Sequence, residues 1–250
     1  MTGLGWPWTR RRPPSRLART LEGYPPFTPR HVAFNIRLRG RDGPVLSREQ
    51  SQENVRQYRA AVGGRIALLR PVLGAIGVDL DRAYDDPHAY VAALHRTLLV
   101  ELPPLYRPDL MRGFAHELSD RAGADIVLSF MGDLAMLECD VLMRVHPGCF
   151  IGANLDPRDR MMASYGRPCL LGLRDGLFPA GPDTFHIEQE YFDYFANMDH
   201  PPRLAHPDVD LRRDPVGAIG GWMLLRLERY EVHPGLDALK AHTWLGRAAR

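Results

Sequence analysis

The 250-residue sequence is short of lysine, of cysteine and of long apolar runs: Lys240 is the only lysine among 32 basic residues, and there are three cysteines. No stretch reaches the roughly 18 consecutive apolar residues of a membrane helix, and no apolar segment follows the N-terminal arginines, so we expect neither a membrane span nor a secretory signal. Cys139, Cys149 and Cys169 match neither the spacing of a CxxC redox pair nor that of a zinc ribbon. We therefore expect three reduced thiols in a soluble, cytoplasmic protein.

What is present is enough apolar surface for a large core, together with an uneven distribution of charge. Apolar residues make up 45% of the chain, which excludes general disorder and a small disulfide-stabilised fold. The formal net charge is +2, but residues 1–41 hold nine arginines and one acid, or +8, whereas residues 42–250 hold 23 basic and 29 acidic residues, or −6. The sequence predicts a basic N-terminal arm on an acidic body.

The first 30 residues contain six prolines and show neither helical nor alternating periodicity. Such a segment buries little surface, so residues 1–30 are predicted to form an extended, disordered arm and residues 31–250 a single domain. Trp6 and Trp8 precede Arg10, and this combination suits a nucleic acid or an anionic membrane surface. A flexible leader, or an over-long gene start in a GC-rich gene, explains the same composition and is the interpretation we favour. A nucleic-acid partner is expected, if at all, only at this arm.

The start of the body shows local signals for one strand and two helices. Residues 31–39 alternate apolar and polar side chains, as a half-buried strand does. Ser47, followed three positions later by Gln50, predicts a capping box at the start of a helix, and Pro71 is predicted to end that helix. Asp86-Pro87 predicts a second helix start, since an aspartate N-cap followed by proline suits the first turn.

The middle of the chain predicts a core helix followed by a small sheet. Residues 126–145 form the most apolar stretch, which predicts a central helix covered by others. Short strands are predicted at residues 149–156 and 167–173. The aromatic-rich residues 185–195 suit a strand entering a helix, although periodicity alone leaves this open, and Asp214-Pro215 predicts a last helix. The predicted fold is α+β: a mainly helical single domain with a small β-sheet packed on a long central helix, plus the extended N-terminal arm.

The densest collection of possible metal ligands is the loop of residues 199–210, which contains two histidines and three aspartates. Imidazole and carboxylate ligands suit zinc, non-haem iron or manganese, and a neutral imidazole is a general base near pH 7. His200, His206 and Asp208 are therefore the candidate catalytic and metal-binding residues. Four of the ten histidines precede proline, which favours the simpler interpretation of an exposed polar loop.

Two further candidate sites have weaker signals. Cys169 lies on a predicted strand, and His186 or His146 is a possible base for a thiol nucleophile. The apolar neighbours of Cys169 favour an inert, buried cysteine instead. Gly217–Gly221 stands at a predicted helix start, where backbone N–H groups bind phosphate, but no strand precedes it. Close packing explains these small residues better.

Three acids interrupt the otherwise apolar central helix: Asp133, Glu138 and Asp140. A carboxylate in such a segment faces solvent, pairs with arginine or has a functional role, because burying it alone is costly. Arginine is abundant in this chain, so pairing is the simpler expectation. The alternative is that these three residues form an acidic binding surface for a basic partner.

The sequence contains no catalytic triad, nucleotide-binding or cofactor-binding motif, and no cofactor is predicted. The predicted function is that of a protein-binding module, of the adaptor or immunity type, which uses the acidic body and exposed aromatic residues as the surface for a protein partner. The alternative is a hydrolase or metal-dependent enzyme that uses the loop of residues 199–210. Bound metal favours the enzyme, and a stoichiometric protein partner favours the binding module.

Overall fold

The computed structural model describes residues 15–32, 46–111, 116, 118–155, 164–176, 183–196, 210–234 and 243–244. Within these ranges the chain is mainly helical and carries a small antiparallel sheet, which confirms the predicted α+β class. None of the helices in these ranges is long and apolar enough to cross a membrane. The strand predicted at residues 31–39 falls almost entirely outside the described ranges.

Helices make up the bulk of the described fold. They are α1 (Arg16–Thr20), α2 (Arg48–Ala75), α3 (Arg82–Asp85), α4 (Pro87–Glu101), α5 (Pro108–Met111), α6 (Ile126–Val145), α7 (Gln189–Ala196) and α8 (Gly221–Arg229). Ser47 and Gln50 form both bonds of the predicted capping box at the start of α2. The Asp86 carboxylate accepts a hydrogen bond from the Ala89 N–H at the start of α4, also as predicted.

The centre of the core is α6, whose bounds match the predicted central helix. Nearly every residue from Ile126 to Leu142 is buried, because the helix is apolar on most sides and α2, α7 and α8 pack around it. The helix ends at the predicted His146-Pro147-Gly148 segment. The acids at positions 133 and 138 are therefore carried into the interior of the protein.

The sheet consists of short strands that all pair antiparallel. They are β1 (Phe150–Asn154), β2 (Pro168–Asp175), β3 (Asp183–His186), β4 (Tyr230–Val232) and β5 (Thr243–Trp244). The strand order is β3-β2-β1-β5, and β4 pairs with the last three residues of β2. Both predicted strands are present, as β1 and β2. The aromatic-rich segment forms β3 followed by α7, which is a strand that enters a helix. The sheet lies against α2, which in turn packs on α6.

The prediction that Pro71 ends its helix is wrong. The helix α2 continues for another turn to Ala75. Proline removes one backbone hydrogen bond, but Val72 and Leu73 are 3% and 0% exposed, so burial of their side chains keeps the last turn in place. The Ile76 N–H closes the helix by donating to the Val72 carbonyl.

Residues 15–32 belong to the folded domain, which corrects the predicted boundary of the arm. Leu17 of α1 is fully buried among α2 and α4. After α1 the chain is held through its backbone: the Asn54 side chain accepts from the His31 N–H at 2.9 Å and donates to the His31 carbonyl at 2.7 Å. Local periodicity misses this order because neighbouring helices supply the contacts. Residues 1–14 lie outside the described ranges.

The last helix begins later than predicted. Asp214-Pro215 leads into a 3₁₀ turn over Pro215–Gly217, and α8 starts only at Gly221. Gly220 has a φ of +76°, a left-handed conformation that glycine adopts without steric cost, and it separates the turn from the helix. A Cβ on Gly221 would overlap the Pro215 carbonyl oxygen. The small residues therefore serve a tight turn, in agreement with the packing interpretation.

Candidate functional site

A pocket of about 180 Å³ lies where α6, α7 and α8 meet the turn of residues 215–220. Its polar walls are acidic and its apolar walls are largely aromatic. Six side chains supply this chemistry, and we call the site they form the acidic pocket: Glu138, Glu190, Asp193, Tyr191, Tyr194 and Trp222. Backbone and small apolar side chains of the turn close the remaining side.

Three helices place the polar and aromatic groups of the acidic pocket. Glu138 comes from the middle of α6 and is 5% exposed, so its carboxyl group forms the inner wall. Glu190, Asp193 and Tyr194 follow the i, i+3, i+4 spacing that puts side chains on one face of α7. Trp222 stands at the start of α8 and is 37% exposed. The site is thus built on helices that are fixed by the core.

One guanidinium group serves two of the three carboxyl groups. Arg226 of α8 donates from Nη1 to Glu138 Oε1 at 2.6 Å and to Glu190 Oε2 at 2.9 Å, and from Nη2 to Glu190 Oε1. Burial lowers the pKa of Arg226, but the charges of Glu190 and Glu138 raise it by more, so the residue stays a cation. Within the described part of the chain, Arg226 is thus shared by two of the three acids that line the pocket.

The excess of acidic groups favours a retained proton. Burial, with the neighbouring charge of Glu190, raises the pKa of Glu138 to about 8, against the opposing effect of Arg226. Burial also raises the pKa of Asp193. At neutral pH the acidic pocket therefore holds both carboxylate charge and a bound proton.

A buried hydroxyl group lies beside Glu138. Tyr90 of α4 is 2% exposed, and its hydroxyl has no hydrogen-bond partner among the described residues. Burial, followed by the charge of Glu138, raises the pKa of Tyr90, which places the hydroxyl close to that carboxyl group. Buried polar atoms are nearly always satisfied by protein, water or ligand.

The first acid of the predicted binding surface is not at the pocket. Asp133 is 0% exposed and accepts from Nε and Nη2 of Arg65 at 2.8 and 2.6 Å. The Tyr24 hydroxyl donates to the same carboxylate at 2.5 Å. A fully buried carboxylate with these donors is not available to a partner, so the expectation of arginine pairing applies here.

The three predicted surface acids do not form one joint surface, because Asp133 is fully buried and Glu138 lies on a different side of α6 from the other two. Asp140 accepts from the Tyr84 hydroxyl at 2.8 Å and pairs with Arg144 at 2.9 Å, and it does not line the acidic pocket. Positions 133 and 140 are seven residues apart, which is two helical turns, and so lie on the same side of α6, whereas position 138 lies on another side. Only Glu138 reaches the acidic pocket.

The sheet brings together the two residues of the predicted thiol site. Cys169 of β2 and His186 of β3 are paired directly across the strands, which puts their side chains on the same face. Burial raises the pKa of the Cys169 thiol to about 12. Burial, with the charge of Arg167, lowers the pKa of His186 to about 3. Both groups are neutral near pH 7, so the pair forms no thiolate, as the inert-cysteine interpretation predicts. His146 lies instead at the end of α6.

The candidate metal-binding residues His200, His206 and Asp208 lie outside the described ranges, and their catalytic or metal-binding role stays a prediction. Within the described part of the chain, no group of three or more histidine, cysteine, aspartate or glutamate side chains is arranged to hold a metal ion.

Sequence reasoning missed most of the acidic pocket. Glu190 and Asp193 carry a weak signal, since they stand three residues apart in the aromatic-rich segment. Trp222 lies on a predicted helix with no sign of its exposure. Arg226 cannot be chosen among so many arginines, because its partners are set by how α8 packs on α6.

Comparison with known proteins leaves this site to be interpreted from its own geometry. No family model, curated protein or solved structure matches the chain.

Proposed function

We propose that the protein is a protein-binding module and that the acidic pocket takes a basic side chain of its partner. The observation that supports this is the lining of the pocket, in which Glu138, Glu190 and Asp193 stand beside the ring of Trp222. A guanidinium group forms paired hydrogen bonds with carboxylates and stacks on aromatic faces. An anionic ligand is disfavoured because, among the described residues, Glu138 and Glu190 share a single arginine.

Arg226 displays the same chemistry within the chain. Its guanidinium group is bound by Glu138 and Glu190 and lies 5.5 Å from the ring centroid of Trp222. The volume of about 180 Å³ leaves room beside Glu138, Glu190 and Trp222 for a further side chain. Tryptophan and tyrosine are enriched among the residues that dominate binding energy at protein interfaces. A basic side chain that enters the acidic pocket would thus meet charge and aromatic surface together.

The alternative function is a hydrolase or metal-dependent enzyme that uses His200, His206 and Asp208. It rests on residues outside the described ranges. Stoichiometric metal in the purified protein that is lost in His200→Ala would favour it.

Two matched peptides test the proposed function: a capped hexapeptide with one central arginine, and its twin with citrulline at that position. Citrulline keeps the shape of arginine but removes its charge. We expect the full-length protein to bind the arginine peptide in isothermal titration calorimetry. Trp222→Ala and Glu190→Gln should each weaken binding about tenfold or more, as truncation of an important interface residue does.

Asp81→Asn is the matched control for these variants. Asp81 is an exposed acid, paired with Arg70 and distant from the lining of the acidic pocket, so its replacement should leave the affinity unchanged. Equal affinity for the arginine and citrulline peptides contradicts the proposal. So does unchanged affinity in both Trp222→Ala and Glu190→Gln.

A further inference from the structure

We propose that the acidic pocket exchanges a proton for the cation that it binds: entry of a guanidinium or ammonium group drives one proton off the Glu138 and Glu190 pair. The inference rests on the proposed function, because it specifies how the same pocket takes its cationic ligand. Binding therefore strengthens as the pH rises through the range in which Glu138 titrates.

The number of charges at the site supports such an exchange. Glu138 and Glu190 bind the same guanidinium group, and Asp193 stands one turn further along α7. Among the described residues, Arg226 is the cation bound to Glu138 and Glu190, and its single charge can neutralise only one of these two carboxylates. Like charges repel strongly in a partly enclosed site of low dielectric constant, so one carboxyl group keeps its proton until a second cation arrives.

Geometry assigns the proton to Glu138. Both carboxylate oxygens of Glu190 accept from Arg226, whereas Glu138 receives a single bond from that group through Oε1. The Glu138 side chain is 6% exposed and that of Glu190 is 24% exposed. A carboxyl group that is more deeply buried and receives fewer bonds from a cation retains its proton more readily. The raised pKa of Glu138, at about 8, agrees with this assignment.

Among the described groups that face Glu138, the tyrosine, cysteine and arginine side chains keep their charge state between about pH 6 and 9. Burial raises the pKa values of the tyrosine and cysteine neighbours, which therefore stay neutral. Arg226 stays charged. The neighbours are Arg226 from α8, Glu190, Tyr191 and Asp193 from α7, Tyr90 from α4 and Cys139 from α6 itself.

The exchange conserves charge at the site. The ligand brings one positive charge into the acidic pocket, the O–H bond of the Glu138 carboxyl group breaks, and the proton passes to solvent. The resulting carboxylate of Glu138 then balances the cation of the ligand, while Arg226 remains bound to Glu190. Since no net charge is buried, the exchange avoids the large cost of placing an unpaired ion in the interior.

Calorimetry of the capped arginine hexapeptide with the full-length protein tests the exchange. Titrations at about pH 6, 7, 8 and 9 are run in pairs of buffers that differ in ionisation enthalpy, which yields the number of protons released. The arginine side chain stays charged throughout. We expect about one proton released at pH 7, and an affinity that rises by up to about tenfold per pH unit until the pKa is reached. In Glu138→Gln the release should fall to near zero and the affinity should become independent of pH.

The outcomes separate this inference from the function on which it rests. Absence of binding at every pH overturns both. Binding of the arginine peptide without proton release overturns the exchange and leaves the proposed function standing. His146→Gln is the control, because His146 contacts the Arg226 carbonyl oxygen at 3.3 Å. If proton release disappears in this variant, the proton comes from the histidine and not from Glu138, and the exchange is overturned. If Glu138→Gln does not fold, the number of protons released by the unmodified protein, measured in the buffer pairs, decides whether the exchange takes place.

Discussion

Two buried clusters on α6 are built from the same residue types but differ in the ratio of acids to arginine. At Asp133, one carboxylate receives two bonds from Arg65 and one from Tyr24, and the side chain is fully buried. At Glu138, Arg226 is shared with Glu190 beside a cavity of about 180 Å³. At the first cluster one acid pairs with one arginine, whereas at the second two described acids share one arginine.

A third cluster shows that burial alone does not decide the outcome. Glu188 is 2% exposed and accepts from Arg121 at 2.6 and 2.8 Å and from the Tyr58 hydroxyl at 2.8 Å. Burial opposes ionisation, but the charge and hydrogen bonds of Arg121 prevail and lower the pKa of Glu188. Glu138 is buried to a similar degree, yet its pKa is raised. Burial also raises the pKa of Asp133, against the opposing effect of Arg65, so the direction of the shift at each acid depends on burial and on its donors together.

The largest loss of unfolding free energy is expected when the buried pair of Asp133 and Arg65 is broken. Asp133→Asn leaves Arg65 as a buried charge without its carboxylate, and loss of one member of a buried pair costs about 3–5 kcal/mol of unfolding free energy. Urea denaturation at neutral pH measures it. Asp81→Asn removes an acid from the exposed Arg70 pair and should leave the unfolding free energy nearly unchanged. A loss in Asp133→Asn no larger than in that control would show that the buried pair is not needed for stability.

A smaller effect is expected from crowding the third cluster. A Cβ at Gly132 of α6 would stand 2.7 Å from Glu188 Oε1, so Gly132→Ala must displace the pair of Glu188 with Arg121. Overpacking of this kind costs about 1–3 kcal/mol. Gly64→Ala is the matched control in an exposed part of α2 with no atom within 4 Å of the added group, and it should stabilise by about 0.5–1 kcal/mol. Thermal unfolding of both variants compares the signs, and a stabilising Gly132→Ala contradicts the close approach.

The smallest change in unfolding free energy at acidic pH is expected for Glu138→Gln, in the cluster where two acids share one arginine. This variant should also alter the pH dependence of stability most. Glu138→Gln replaces a protonated carboxyl by an amide of the same shape and leaves Arg226 bound to Glu190, so near pH 5 the loss should be below about 1 kcal/mol. The raised pKa means that the stabilising contribution of the Glu138 proton is complete below about 4.5 and is lost as the pH rises through about 8. Glutamine has no proton to lose.

Urea denaturation of the unmodified protein and of Glu138→Gln, at about pH 5 and pH 9, measures this difference in pH dependence. The unmodified protein should lose more unfolding free energy over this interval than Glu138→Gln does. The same loss in both would mean that Glu138 titrates in the folded protein as it does in the unfolded chain, and the distinction between the two kinds of cluster would fail.

Several elements could be predicted because their signals are local. The capping box of Ser47 and Gln50 and the N-cap of Asp86 depend on residues three positions apart. Other predictions failed where a distant contact overrides the local preference. Pro71 does not end α2, since the turn after it is buried, and residues 15–30 fold despite their prolines because neighbouring helices supply their contacts.

What the sequence by itself determined is the class of the fold and its centre. Residues 126–145 are apolar on most sides, and such a helix must be covered by others wherever it lies. Which acid of this helix is structural and which lines a pocket was decided only by the tertiary structure. Asp133 and Arg65 are 68 residues apart, and Glu138 and Arg226 are 88 apart. The ratio of charges at each acid depends on how the helices pack, and local patterns do not contain that information.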